Sequence, residues 1–192
     1  MFRILPHRSA TAAPFPFPCL PQEYLSLHVH PYLRIIIEGQ PIQIPAAIGI
    51  RDPRFDQGIA VAGSCFEPLH THDSSGIIHI EAPDPNAQYT LGDFFAVWRA
   101  TFPTITIGDK AFPVDFDANE ILGHKAGGGH SVRLLVDGKP SAPRTSLVLN
   151  GLDYCSAQSM SPPCFPTAVG NPYPPQVYQR YGTGHTIVLE YQ

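Results

Sequence analysis

Residues 70–81 (His-Thr-His-Asp-Ser-Ser-Gly-Ile-Ile-His-Ile-Glu) combine three histidines with two carboxylates in twelve positions. The segment opens with the pair His70 and His72 and closes with His79 and Glu81. Alternate residues of a strand point to the same face, so a His-x-His pair on a strand directs both imidazoles to one side. Imidazole is the protein ligand most often found on zinc and copper. The spacing therefore predicts part of a transition-metal site.

A second pair, His28 and His30, lies about forty residues upstream, at the end of the run 25–30 (Leu-Ser-Leu-His-Val-His). The apolar residues of this run alternate with Ser26 and the two histidines. Such alternation predicts a half-buried strand with both imidazoles on its polar face. Two His-x-His pairs in a chain of this size favour one shared site over four unrelated histidines.

Three further residues are candidates for the same site. His79 is predicted on the strand that follows the Ser-Ser-Gly turn, opposite the face of Ile78 and Ile80. Asp73 and Glu81 are predicted either as oxygen ligands or as acceptors that fix an imidazole tautomer. Imidazoles without a thiolate fit copper(II) or zinc. The predicted metal-site residues are His28, His30, His70, His72, His79 and Asp73, with Glu81 beside them.

The cysteines indicate the redox setting. Cys19, Cys65, Cys155 and Cys164 show no Cys-x-x-Cys spacing, which argues against zinc-ribbon and thioredoxin-type motifs. Three disulfide pairings are possible, and we favour Cys19–Cys65 with Cys155–Cys164, because the first two each precede a histidine pair and the last two enclose a Ser- and Pro-rich loop. Four buried free thiols in a cytosolic protein are the alternative. Disulfides would place the protein outside the cytoplasm.

The composition excludes several classes of protein. Only 15% of the 192 residues are charged and the formal charge is -4, so nucleic acid is not an expected partner. No run reaches the roughly 18 apolar residues that a transmembrane helix requires. Residues 1–8 lack the apolar core of a signal peptide. The expected extracellular, cell-surface or periplasmic location therefore depends on the cysteines.

The elements around these residues predict a mainly β chain. Twenty-two prolines and sixteen glycines indicate many turns and short strands. We expect a single β-sandwich or β-grasp-like domain over residues 23–192, with one short helix. Residues 1–22 are predicted as an extended Pro/Phe-rich arm, since alternating prolines prevent a helix. Residues 154–182 are predicted as a Pro-rich insertion, a long loop that the Cys155–Cys164 disulfide would clasp.

Within the domain, two hairpins, one helix and two further strands are predicted. The first hairpin spans residues 32–44, and the second pairs residues 131–136 with 146–149. The helix is expected over residues 89–98, where Thr90 is the N-cap and Asp93 follows three positions later. Strands are also expected at 104–107 and 186–191, a loop at 51–63, and irregular structure at 110–129.

Catalytic motifs match the chain poorly. The cupin pattern requires a glutamate four or five residues after its first His-x-His pair, whereas Glu38 follows His30 by eight positions. Nucleophile-elbow, Walker and His-Glu-x-x-His sequences do not occur. A metal-held water with Asp73 or Glu81 as base would be chemically possible, but no residue identifies a substrate. A metal-dependent enzyme is therefore the less favoured interpretation.

Several motifs resemble those of a family of uncharacterised bacterial and archaeal proteins. They are His-x-His at 28–30, Ile-Pro-Ala-Ala-Ile-Gly-Ile at 44–50, residues 69–81, and Thr-Leu-Gly-Asp-Phe-Phe at 90–95. The resemblance covers about residues 19–98. It implies that the histidine segments form one unit and that the protein is exported or membrane-anchored, and it implies no catalytic residue.

Two functional hypotheses follow. The first is an exported β-domain that binds copper or zinc for storage, delivery or structural stabilisation. The second is a self-assembling extracellular subunit, such as a filament protein, in which residues 1–22 dock on a neighbouring copy by strand addition and a metal stabilises the subunit.

Overall fold

The computed structural model describes residues 14–154 and 185–192. In these ranges the chain is mainly β, with sixteen strands and one α-helix, as the sequence predicts. The helix α1 spans Leu91–Thr101. The strands are β1 Leu27–Val29, β2 Tyr32–Ile37, β3 Gln40–Ile42, β4 Ile50–Arg51, β5 Arg54–Asp56, β6 Ile59–Ala62, β7 Cys65–Phe66, β8 Leu69–His70, β9 His79–Ala82, β10 Thr104–Ile107, β11 Lys110–Pro113, β12 Glu120–Ile121, β13 His124–Lys125, β14 Val132–Val136, β15 Lys139–Ser141 and β16 Thr186–Tyr191.

The largest sheet has five strands in the order β15-β14-β16-β2-β3. Its middle strand, β16, pairs antiparallel with β14 and parallel with β2. In β16 every second residue is buried, which is the pattern of a strand with one face on the core. A three-stranded sheet, in the order β1-β9-β8, contributes its apolar face to the same core. The predicted sandwich-like layering is consistent with this shared core.

The helix begins where the sequence predicts. The Thr90 hydroxyl accepts the backbone N–H of Asp93, and the Asp93 carboxylate accepts the backbone N–H of Thr90. This reciprocal capping box satisfies two donors that the first turn would otherwise leave without partners. The buried face of α1 includes Phe94 and Trp98, which pack into the common core between the sheets.

Three predictions about the irregular regions are wrong. Residues 51–63 contain the hairpin β5–β6 rather than a loop, and residues 110–129 contain β11, β12 and β13. The predicted second strand of the later hairpin, residues 146–149, is also wrong, because β14 pairs with β15 instead. The backbone carbonyl of Leu147 accepts the N–H of Leu91 at the start of the helix.

The described part of the N-terminal arm lies on the domain of its own chain. Cys19 forms a disulfide with Cys65, as predicted, and Leu20 exchanges two backbone hydrogen bonds with Phe66. Phe17 packs edge-on against Tyr89, with ring centroids 5.4 Å apart. The phenylalanines of this stretch therefore have partners within the same chain.

Three predictions concern residues or properties that the structure does not test. Cys155, Cys164 and their proposed disulfide lie outside the described residues, as does most of the insertion. The domain boundaries and docking of the arm on a neighbouring copy stay predictions. Within residues 14–154 and 185–192, no helix combines the length and hydrophobicity needed to cross a membrane.

Candidate metal centre

One face of the three-stranded sheet carries the histidines. Its middle strand, β9, places Glu81 opposite His28 of β1 and His79 opposite His70 of β8. Directly opposed residues of antiparallel strands share a face, and so do His79 and Glu81, which are two residues apart. The other face presents Leu27, Val29, Leu69, Ile80 and Ala82 to the core. Burial of that apolar face therefore orients the histidines away from the core.

Two more histidines extend the same face beyond the strand ends. His30 follows β1 and His72 follows β8, each two residues after a histidine of its strand. The His30 ring lies 4.8 Å from that of His79, and the His72 ring lies 4.5 Å from it. The five predicted histidines therefore lie together on and beside the middle strand. We call them the histidine cluster: His28, His30, His70, His72 and His79.

The donor atoms form two overlapping sets of four residues. In each set the potential ligand atoms lie within 4.8 Å of one another, and both sets include His79 and Glu81. The first set adds the pair at positions 28 and 30, and the second adds the pair at positions 70 and 72. Each set combines three imidazoles with one carboxylate, a donor combination that suits zinc or copper(II).

Hydrogen bonds to the backbone determine the tautomers of His70 and His72. The Nδ1 atom of His70 lies 3.0 Å from the carbonyl oxygen of Glu67, and that of His72 lies 2.6 Å from the carbonyl oxygen of Ala60. A carbonyl oxygen only accepts, so each Nδ1 must carry a hydrogen and donate it. In the neutral rings each Nε2 atom then presents a lone pair, and these two atoms are only 3.2 Å apart.

A carboxylate that the sequence analysis missed, Glu23, faces the same point. Its Oε1 atom lies 3.3 Å from Nε2 of His72 and 3.8 Å from Nε2 of His70. With both rings neutral, two lone pairs and a carboxylate oxygen converge there, an arrangement that either a proton on His72 or a metal ion would stabilise. Glu23 lies on the segment that the Cys19–Cys65 disulfide ties to β7. The one sequence feature that could have identified Glu23 as a site residue is its position between Cys19 and the pair His28 and His30.

On the other side of the cluster, Glu81 joins two histidines. Its Oε1 atom lies 3.3 Å from Nε2 of His28 and 3.2 Å from Nδ1 of His79. The Glu81 side chain is buried, and its second oxygen, Oε2, makes no hydrogen bond to the described residues. A buried carboxylate oxygen without a hydrogen-bond donor has a large desolvation cost that a bound cation would offset.

Burial keeps most of these rings neutral. It lowers the pKa of His70 to about 3, an effect that the charge of His72 reinforces. Burial also lowers the pKa of His79 well below its usual value, and that of His28 to a smaller extent. Neutral imidazole is the form that binds a metal, so these three rings are ready to act as ligands near neutral pH.

The pKa values of Glu81 and His72 are raised instead, and that of Glu23 is lowered. Burial, with the nearby Glu23 charge, raises the pKa of Glu81 to about 7. Burial alone would lower the pKa of His72, but the hydrogen bonds to Glu23 and to the Ala60 carbonyl raise it above the usual value. The hydrogen bond to His72 in turn lowers the pKa of Glu23. The pKa shifts of His72 and Glu23 therefore favour positive charge on His72 beside a negatively charged Glu23.

The remaining predicted ligand, Asp73, lies in neither set of four. Its Oδ1 atom accepts the backbone N–H of Ser75 and so stabilises the turn between β8 and β9. Gly76 ends that turn with a φ of 94°, and its carbonyl accepts the N–H of Leu33 in β2. A Cβ atom at Gly76 would lie 2.4 Å from the Leu33 carbonyl oxygen, so only glycine fits here. Asp73 therefore lines the site, and it stabilises the turn that brings β9 alongside β8.

An open cavity of about 670 Å³ leads from solvent to the cluster. Three exposed apolar residues, Leu25, Ile59 and Val61, form part of its rim. Glutamate and aspartate side chains line it, whereas no lysine or arginine of the described residues does. The cavity therefore suits a cation better than an anionic ligand.

Comparison with protein-family models, with curated proteins and with solved structures gives no match to this chain. The resemblance to a family of exported bacterial and archaeal proteins therefore stays a prediction.

Proposed function

We propose that this protein binds a transition-metal ion, copper(II) or zinc, at the histidine cluster. The observation that carries the proposal is the convergence of Nε2 of His70, Nε2 of His72 and Oε1 of Glu23 on one point. Backbone carbonyls accept both Nδ1 hydrogens, so the space between these atoms suits either a proton on His72 or the metal ion that displaces it. A metal ion satisfies all three donors at once.

The donor types restrict the ion. Imidazole nitrogens and carboxylate oxygens suit copper(II) and zinc, whereas thiolate and thioether sulfur favour copper(I) and iron–sulfur clusters. Cys65, the cysteine nearest to β8 in sequence, is already bonded to Cys19. No other sulfur atom of the described residues belongs to either ligand set.

The setting favours reversible binding outside the cytoplasm. The cavity connects the cluster with solvent, so an ion enters and leaves without unfolding of the core. This favours storage or delivery of the metal over a permanently enclosed structural ion, since structural zinc sites are closed. The disulfide fits an oxidising compartment, which supports an exported protein.

The test compares the wild-type protein with a variant that affects both ligand sets, His79→Ala/Glu81→Gln. Metal-free protein is titrated with zinc and with copper(II) by calorimetry, and bound metal is measured by elemental analysis after gel filtration. We expect at least one ion per chain in the wild-type protein. In the variant we expect an affinity lower by about a hundredfold or more, since loss of even a supporting residue costs 10–100-fold.

The matched control is His130→Ala/Glu38→Gln, which removes one imidazole and one carboxylate outside the cluster. We expect it to bind metal as the wild-type protein does. Circular dichroism of all three proteins verifies that they are folded. Absence of bound metal in folded wild-type protein would contradict the proposal, as would equal binding by the cluster variant.

A further inference from the structure

The cluster offers more donors than one ion uses. Zinc in proteins takes four ligands in most sites, and copper(II) favours a tetragonal arrangement. Five histidines, Glu81 and Glu23 supply seven side chains at this place. One ion would leave several buried imidazoles without a ligand role.

The donors also divide by position in the sheet. One histidine pair extends from β1 and the other from β8, on opposite sides of the middle strand β9. Each pair forms a set of four donors with His79 and Glu81, which β9 supplies to both, and Glu23 is a further donor beside His70 and His72. His79 lies between the pairs, since its ring is 4.8 Å from that of His30 and 4.5 Å from that of His72.

Glu81 has the properties of a bridging ligand. Its Oε1 atom already contacts His28 of the first set, 3.3 Å away. The Glu81 side chain is only about 5% exposed, and its buried Oε2 atom receives no hydrogen bond from the described residues. A carboxylate has two oxygens with about four lone-pair positions and can bind two cations, one on each oxygen.

We propose that the cluster holds two transition-metal ions bridged by the Glu81 carboxylate, an inference that rests on the proposed metal binding. His28 and His30 bind the first ion. His70, His72 and Glu23 bind the second, because Glu23 contacts only that pair of histidines. His79 completes one of the two sets. Bridged metal pairs in proteins lie about 3.5–4 Å apart, which a single carboxylate can span.

The experiment is a stepwise titration of the full-length, metal-free protein with copper(II), followed by electron paramagnetic resonance and by elemental analysis. At one equivalent we expect the spectrum of isolated copper(II). At two equivalents we expect saturation, with loss of signal intensity and a half-field transition from two interacting spins. Zinc is expected to reach the same stoichiometry of two ions per chain.

Pair variants assign the ions. His28→Ala/His30→Ala and His70→Ala/His72→Ala are each expected to bind one copper ion with an isolated-spin spectrum. The combination of all four substitutions is expected to bind none at the cluster, which corrects for any copper bound elsewhere in the chain. His130→Ala/His185→Ala, a control outside the cluster, is expected to retain two coupled ions.

The outcomes separate this inference from the proposed function. Saturation of the folded wild-type protein at one ion would overturn the two-ion centre and leave metal binding intact. Two ions without spin interaction at saturation would overturn the bridge by Glu81. No bound ion would contradict both proposals. Should a pair variant fail to fold, the stoichiometry and spin coupling of the wild-type protein still decide the question.

Discussion

The histidines inside and outside the cluster differ in where their second ring nitrogen points. His124 donates from Nδ1 to the carbonyl of Leu122 and stacks on Phe112, much as His70 donates from Nδ1 to the carbonyl of Glu67. The backbone hydrogen bond is thus common to both regions. Among the histidines that the structure describes, only in the cluster does the remaining nitrogen face another imidazole, 3.2 Å away. A metal site therefore requires converging nitrogens as well as a fixed tautomer.

The largest expected difference between the histidines of the cluster and those outside it is the stabilisation of the folded protein by bound metal. With free zinc a thousandfold above its dissociation constant, binding adds about 4 kcal/mol to the free energy of unfolding. For a domain of this size that raises the melting temperature by about 10 °C, since each kcal/mol corresponds to roughly 2–4 °C. Thermal scans with zinc and then with excess chelator measure the shift. The melting temperature of His130→Ala/His185→Ala should rise with zinc as that of the wild-type protein does, and that of His79→Ala/Glu81→Gln should not. The reverse result would place the ion outside the cluster.

Removal of the disulfide tests what positions Glu23. The Cys19–Cys65 bond joins residues 46 positions apart, and loss of a loop of this length costs about 4 kcal/mol of unfolding free energy in the chain-entropy description. Cys19→Ser/Cys65→Ser, measured by urea denaturation, should show this loss. Zinc affinity should also fall, by about tenfold, because the segment that holds Glu23 is no longer tied to β7. If Glu23→Gln lowers affinity and the cysteine variant does not, the Leu20–Phe66 pairing alone positions Glu23.

The carboxyl group of Glu67 gives the next largest effect, and it depends on pH. Burial raises its pKa to about 7, above the ordinary value of 4.5. The fold therefore favours its neutral form, and its contribution to stability is complete below pH 4.5 and is lost as pH rises through 7. Glu67→Gln should raise the unfolding free energy by roughly 3 kcal/mol at pH 8 and leave it unchanged near pH 4. A difference that does not vary with pH in urea denaturation would show that the pKa of this carboxyl is the same in the folded and the unfolded protein.

Proton release should accompany metal binding at the cluster. Glu81, with a pKa of about 7, and His72, with a raised pKa, hold protons near neutral pH that a metal displaces. Zinc affinity should therefore fall by about tenfold per pH unit below pH 7 for each proton displaced. Calorimetry in two buffers of different ionisation enthalpy counts the protons. Equal heats in both buffers would show that the ligands are already deprotonated.

The smallest expected effect belongs to a histidine outside the cluster. His130 is exposed and stacks on Tyr191, with ring centroids 5.1 Å apart. Surface substitutions of this kind change stability by about 0.5 kcal/mol or less. His130→Ala should therefore leave urea denaturation and zinc titration nearly unchanged. A large change in either would show that the distinction between the two groups of histidines is incomplete.

The histidine cluster could be predicted from the sequence because strand periodicity is local. The His-x-His spacing determines that two imidazoles share a face, whatever the rest of the chain does. The partner strands could not be deduced this way, and neither could Glu23, which a disulfide between distant residues brings to the site. Nor does the spacing show that the Asp73 carboxylate is used by its own turn.

The errors in the fold have a similar origin. Four hairpins turn on two-residue loops that end in glycine, with both residues at positive φ: Glu38-Gly39, Gln57-Gly58, Leu122-Gly123 and Asp137-Gly138. These φ values match the type I′ turns that suit the strand twist. The sequence predicts the hairpin around Glu38-Gly39, but it predicts the wrong second strand for the hairpin around Asp137-Gly138 and misses the loops with glutamine and leucine. The apolar run 146–149 resembles a strand, but its backbone bonds to the start of α1.

The alternation of residues on β1 and β9 also determines how an ion is acquired. A slip of one residue between these strands would turn His28 and Glu81 into the core and expose Leu27 and Ile80, which hydrophobic burial forbids. The apolar face thus selects the register without any metal present. Donor positions are set while the chain folds, so the proposed ion would exchange with solvent at a site that is already formed. Loading and unloading of the ion should then be fast and should not depend on the rate of folding.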